Sequence, residues 1–453
     1  MTIHHPFEHV AAVLARLGAQ TDHGGELAAR RLVLELALIL LVSGVGARIA
    51  RRWLGQPPVV GQILAGIALG PSVLGAWWPG ASAYLLPAES LPMLGGLGEL
   101  GLVLLAFQVG LDVDFRKHLT GGGARTVAAV GACSFVVPLV AGFLAAPLVA
   151  RSLSTPVPAT LGFRMIFACA MAITAVPVLG RIFAELGIVH GRVAALSIGA
   201  AAINDVLGWM ALGAVAVYVR SGWHTGTVAV QTAACAVGLV VVFKIVGPVL
   251  GRLVHGEIAA NGGRLPQRAI GWILLAVCGA AVVSSALGVF ALIGALLVGV
   301  ALNAQRELAA EWDRSVAPLV QTLFVPLFFT LTGLRTDIGS LHGARTWAVC
   351  GLVLALAVTA KLASGYLAAR ASGEPRRVAL AVGVAMNTRG LMELVALNIG
   401  LDLGVLPPTV YSMLVLTAVA STYIAAPLLR LTLLTGPAAA GLPGPRAGVV
   451  GAR

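Results

Sequence analysis

The chain has 453 residues, of which 58% are hydrophobic and 11% charged, with a mean hydropathy of +0.95. That composition excludes a soluble globule with a polar skin and predicts a polytopic membrane protein. The net charge of +12 does not point to nucleic acid, because the thirty Lys and Arg fall mostly in short loops between apolar runs, where they are topological charge.

Residues 1–31 contain His4, His5, Asp22 and Glu26 and no apolar run of signal-peptide length. They read as an uncleaved tail, with the first span as the targeting element. About thirteen apolar spans follow, near 32–50, 57–75, 92–111, 124–150, 161–186, 191–219, 226–252, 268–287, 289–304, 315–334, 346–369, 376–401 and 407–434. The ninth, ALIGALLVGVALN, is short and glycine-rich. The fold class expected is therefore all-α, with about 13 transmembrane helices. The five cysteines (Cys133, Cys169, Cys235, Cys278 and Cys350) all fall within spans without metal-like spacing, and read as small buried hydrophobes.

Loop charge sets the orientation. Nineteen of the Lys and Arg flank one side of the predicted membrane, eight flank the other, and Lys244, Lys361 and Arg389 lie within spans. The positive-inside rule places the N-terminus outside and the C-terminus in the cytoplasm, in agreement with an odd span number.

Span 6, RVAALSIGAAAINDVLGWM, carries Asn204 and Asp205. At about 1.5 Å per residue Asp205 lies roughly 20 Å into the helix, near mid-membrane. An acid at that depth costs on the order of 3 kcal/mol, which argues for function. Lys361 in span 11 lies about 15 residues from one end and 8 from the other, too deep for snorkelling. Arg389 and Glu393 are four apart in span 12 and can pair on one helix face, mainly for structure. Glu99 in span 3 is a further intramembrane acid without an assigned mechanism. Gln108 and Asn398 read as interhelical hydrogen-bonding groups. Asp112, Asp114, Arg335 and Asp337 sit at span ends, where solvation or capping is the default.

An internal repeat joins the halves. Leu104 to Asp114 (LLAFQVGLDVD) and Leu327 to Asp337 (LFFTLTGLRTD) share Leu, Gly, Leu and Asp, seven spans apart and hence in opposite orientation. That is an inverted repeat of spans 1–6 on spans 8–13, with span 7 as the link. It pairs span 5 with span 12, and both carry breakers: Val176 and Pro177 in one, Asn387, Thr388 and Gly390 in the other. Proline removes a backbone donor and glycine permits unwinding, so both helices are expected to break at mid-membrane, where freed carbonyls face a watery cavity. Oxygen ligands for a cation are available from Asp205, Asn204, the Thr174 hydroxyl and carbonyls near Ala175 and Val176.

Five runs in order, GQILAGIALGPSVLG from Gly61, TAVPVLGRIFAELGI from Thr174, NDVLGW from Asn204, PLFFTLTGLRTDI from Pro326 and MNTRGLMELVALNIG from Met386, resemble the monovalent cation:proton antiporter superfamily. Within it they are most like the Kef-type, NapA-type and plant CHX-type exchangers. The resemblance covers almost the whole chain. It implies a homodimer whose protomers each hold a dimerisation domain and a mobile core crossed by two broken helices, the NhaA/NapA-like fold. Mapped here, residues 1–31 are an extracytoplasmic tail, 32–123 and 268–344 the two halves of the dimerisation domain, and 124–220 and 345–434 the two halves of the core. Residues 221–267 form the linker helix and loop, and 435–453 a short cytoplasmic tail without the regulatory domain of many relatives.

The resemblance implies antiport of Na⁺ or K⁺ against H⁺ in a bacterial inner membrane, with no cofactor and no enzymatic activity. Asp205 would bind cation and proton in turn, with Asn204 and Thr174 as further ligands. The family's electrogenic members have two adjacent acids, the first paired with a lysine at the place matched by Lys361. Here the first is Asn204, which favours electroneutral exchange and leaves Lys361 either competing with the cation for Asp205 or carrying a proton itself. The residue matched by Arg389 faces the crossing, where with Glu393 it compensates charge. Two alternatives stand beside this: a Kef-like potassium efflux pathway, and a sodium-coupled organic-solute symporter on a related scaffold.

Overall fold

The structure is a computed structural model, and it describes residues 24–87, 89–112, 123–153, 156–185, 191–221, 225–288 and 290–434. The expectations placed on residues 1–23, on Asp114, on the tail from 435 and on the side chains of Asp112, Pro177 and Cys235 lie outside the described residues. Regular structure among the described residues is entirely helical. The first half comprises α1 (Gly24–Trp53), α2 (Pro58–Leu69), α3 (Leu91–Asp112), α4 (Ala124–Ser152), α5 (Leu161–Ala172), α6 (Val176–Glu185) and α7 (Arg192–Ser221). Next come α8 (Thr225–Val241) and α9 (Gly247–Ala260), joined by a π-helical turn at Val242–Val246. The second half comprises α10 (Gln267–Ala286), α11 (Ala291–Leu302), α12 (Val325–Leu334), α13 (Gly343–Ala371), α14 (Arg376–Ala385), α15 (Leu391–Asp402) and α16 (Pro408–Leu434).

Among the described residues ten helices are long and apolar enough to cross a membrane, and α5 and α11 are shorter apolar helices. The chain is a multi-pass membrane protein. Helix α1 is already helical at Gly24, ahead of the predicted first span, in keeping with Glu26, Leu27, Ala28 and Ala29 as good helix formers. Two of the cysteines depart from the expectation of burial: Cys133 and Cys278 are exposed, whereas Cys169 and Cys350 are buried. Their thiols lie on outward helix faces, where apolar residues meet lipid at no cost.

The repeat is visible as packing. Its two shared glycines are the points where helix backbones touch: a Cβ on Gly110 of α3 would lie 2.4 Å from the Leu296 carbonyl of α11, and one on Gly333 of α12 would lie 2.2 Å from the Ile63 carbonyl of α2. Partner glycines stand opposite, Gly299 facing Gly110 and Gly66 facing Gly333. Close approach at small residues is how helices gain dispersion contacts when lipid offers no hydrophobic drive. Span 3 thus meets span 9 as span 10 meets span 2, which is the reciprocity an inverted repeat requires.

Both predicted broken helices are broken. Between α5 and α6 the chain leaves the helix at Ile173, Thr174 and Ala175, and between α14 and α15 it turns at Met386 and Asn387 and is irregular through Gly390. The backbones cross there, the Ala175 N–H donating to the Thr388 carbonyl at 3.1 Å. Val176 and Pro177 open the second half-helix, one step beyond the expected break, since proline in a first turn lacks only a donor that would be unpaired anyway. Gly390 is needed for the crossing, as a Cβ there would lie 2.7 Å from Val178 Cγ2. A second apolar cluster, which includes Val130, Leu179, Phe183, Ala200, Val382 and Met386, packs around α6 and α14.

Candidate functional site

The four C-terminal carbonyls of a half-helix ending inside a membrane have neither the next helical turn nor water to satisfy them. On α5 all four are met. The Ile173 N–H donates to Cys169, Arg389 Nη1 to Ala170 at 2.6 Å, Arg389 Nη2 to Met171 at 3.0 Å and Lys361 Nζ to Ala172. Two basic side chains therefore face the negative end of the α5 dipole. Arg389 also pairs with Glu393, at 3.0 Å with both side chains fully buried, as their spacing predicted. Breaking such a pair by removing one partner costs about 3–5 kcal/mol, so Arg389 binds the two broken helices into one unit. Thr422 of α16, not singled out from the sequence, accepts from the Arg389 N–H at 3.0 Å and donates to its carbonyl at 2.9 Å.

Lys361 is fully buried, and the partners the structure gives it are neutral. Besides Ala172, its ammonium donates to Thr174 Oγ1 at 2.5 Å and to Asn204 Oδ1 at 3.0 Å. The Thr174 hydroxyl reaches the Met386 carbonyl at 3.0 Å, tying one break to the other. Asn204, Thr174 and Lys361 thus form one cluster, with both side-chain oxygens engaged by the ammonium.

Asp205 is the next residue of α7. It is 5% exposed, and its Oδ1 is buried without a hydrogen-bond partner. It faces a small apolar space bounded by Leu102, Ala106, Trp209, Leu292, Met392 and Val395. Leu102, Leu292 and Val395 also line a cavity of about 460 Å³ that contains Glu99, Arg335, Asn398 and Asp402. This vestibule and the small space beside Asp205 thus share part of their lining. Glu99, unassigned from sequence, lies in this vestibule. Arg335, expected at a solvated span end, is exposed there and pairs with Asp402 at 2.9 Å. Gln108 and Asn398 make interhelical hydrogen bonds, to Asp313 at 3.4 Å and to Thr332 Oγ1 at 2.9 Å.

Two broken helices crossing beside a buried acid define the architecture of a secondary active transporter. The family of that class follows from comparison: the description "Sodium/hydrogen exchanger, transmembrane" matches residues 37–435, and the chain belongs to that family. It is similar to the Na⁺/H⁺ antiporter NhaS4 of Synechocystis, with 34% identity across 88% of this chain and 96% of that one. It is also similar to cation/H⁺ antiporter 18 of Arabidopsis thaliana, at 32% identity across 90% of this chain and 50% of the relative, so it spans about half of that protein's length. The fold matches the sodium/proton antiporter MjNhaP1 of Methanocaldococcus jannaschii with a TM-score of 0.65 at 17% identity, covering 92% of this chain and 99% of the other. The resemblance carried by the five sequence runs is borne out.

Proposed function

We propose that this chain exchanges Na⁺ or K⁺ for H⁺ by alternating access, with Asp205 as the single carboxylate that binds cation and proton in turn. The observation that carries it is the buried, unpartnered Oδ1 of Asp205, next to the crossing and facing a small space that shares lining with the open cavity. A carboxylate there holds a proton or a dehydrated cation; when empty and charged it is costly to move, which makes exchange obligatory. Lys361 is parked on neutral acceptors, so one acid and no competing base remain, and transport is electroneutral. With no cofactor and no bond chemistry, the chain is a carrier and not an enzyme.

In this reading the membrane is a bacterial cytoplasmic membrane crossed about thirteen times, N-terminus outside and C-terminus inside, and the open cavity faces outward. Residues 124–220 and 345–434 move as a core against 32–123 and 268–344, which also hold two copies together as a homodimer. Proteoliposomes test it. Wild type acidifies or alkalinises the lumen in proportion to an imposed Na⁺ or K⁺ gradient, independently of membrane potential, and Asp205→Asn does not. Exchange by the variant at the wild-type rate removes Asp205 from the mechanism.

A further inference from the structure

The Asn204 amide is held from the side opposite Lys361 by α4. Its two N–H groups point at the Gly131 carbonyl, 2.8 Å away, and Ser134 Oγ, 3.1 Å away, with the Ala200 carbonyl a longer contact at 3.4 Å. A nitrogen facing two carbonyls must be the donor end, so these partners fix which way the amide points. Its oxygen is thereby aimed at Lys361 and Thr174. Gly131 makes this reach possible: a Cβ there would lie 2.9 Å from Ile203 Cβ and 3.1 Å from the Ala200 carbonyl. Ser134 is fully buried, and its hydroxyl donates to the Gly131 carbonyl at 3.4 Å, leaving its lone pairs for Asn204.

We propose that Gly131 and Ser134 are positioning residues that lock the Asn204 amide with its oxygen toward Lys361, and so keep the lysine from Asp205 during exchange. The proposal rests on Asp205 being the carrier. Without the Ser134 hydroxyl one amide N–H has no short acceptor, the amide turns more freely, and Lys361 Nζ loses one of its two side-chain oxygens. Freed from it, Lys361 competes with the incoming cation for Asp205.

The test is cation-dependent exchange in proteoliposomes by Ser134→Ala, Ser134→Thr and Ser134→Cys, each alone and with Asn204→Ala, beside Asp205→Asn. Ser134→Ala is expected to raise the KM for the cation about fivefold with kcat within about twofold of wild type, and to move the pH profile of exchange, as loss of one hydrogen bond predicts. Ser134→Thr, which keeps the hydroxyl, restores both. In the Asn204→Ala background Ser134→Ala adds nothing, because its effect passes through the amide. Should the alanine variant fail to reach the membrane, the near-isosteric Ser134→Cys, a weak acceptor, carries the comparison. An equal KM shift with and without Asn204, or an unchanged KM and pH profile, overturns the proposal while inactive Asp205→Asn leaves the carrier reading intact. Active Asp205→Asn overturns the carrier reading itself.

Discussion

At residue 204 the difference between an amide and an acid is one of donors. The Asn204 nitrogen lies 2.8 Å from the Gly131 carbonyl and 3.4 Å from that of Ala200, positions where a carboxylate oxygen would be repelled by two acceptors. An aspartate fits there with a proton on the oxygen that faces these carbonyls and its other oxygen still on Lys361 Nζ. Asn204→Asp is therefore expected to add no charge to the cycle: exchange slows by roughly tenfold, about 1.4 kcal/mol of weakened hydrogen bonding, and stays indifferent to an imposed potential. Recording exchange at clamped positive and negative potentials checks this, and a rate that rises with one polarity would show that the second carboxylate ionises. The electroneutral reading then depends on the backbone of α4 as well as on the residue type at 204.

Between elements, the reciprocal contacts make a quantitative prediction, because the two repeat glycines bear the same load. Alanine at Gly110 or Gly333 drives a methyl group into a carbonyl, at 2.4 and 2.2 Å, so the backbones of α3 and α11 or of α12 and α2 must separate. Each substitution is expected to cost about 1–3 kcal/mol. Gly44→Ala on α1, with nothing within 4 Å, is the control and should be neutral or gain about 0.5–1 kcal/mol from helix propensity. Thermal unfolding in detergent gives the comparison, and equal midpoints for all three variants would remove the packing account of the repeat. The breaks were legible in the sequence for a similar local reason: proline and glycine act on their own backbone, so Pro177 and Gly390 mark their position within a residue or two. The partners of Lys361 were not legible. They are the last carbonyl of α5 and two neutral oxygens from α7 and the break, brought together only by the crossing. The same holds for Ser134 and Thr422, whose hydroxyls look like any other in an apolar helix until the facing helix is known.

Across the whole molecule, one group of polar contacts that spans the proposed domain boundary lies at the open end, and Gln56 donating to the Tyr423 carbonyl at 3.3 Å spans it elsewhere. Arg335 of the dimerisation part reaches Asp402 at 2.9 Å and Asn398 at 3.1 Å in the core, and Thr332 receives hydrogen bonds from Asn398 at 2.9 Å and Tyr411 at 3.0 Å. If the core slides to present Asp205 to the other side, α15 moves against α12 and these contacts must break, so they weight the balance toward the state seen here. Arg335 and Asp402 are both well exposed, and such a pair contributes at most about 1 kcal/mol, roughly a fivefold change in the ratio of two states. In a chain with its five cysteines replaced and a thiol introduced by Val395→Cys, on the wall between cavity and acid, labelling from the open side reports that ratio. Arg335→Ala is expected to lower the labelling rate by up to fivefold, Asp402→Asn to do the same, and the two together to do no more than either. Purely additive losses would mean that each side chain acts through other partners, and an unchanged rate would mean that the ion pair rides with the core instead of bridging to it.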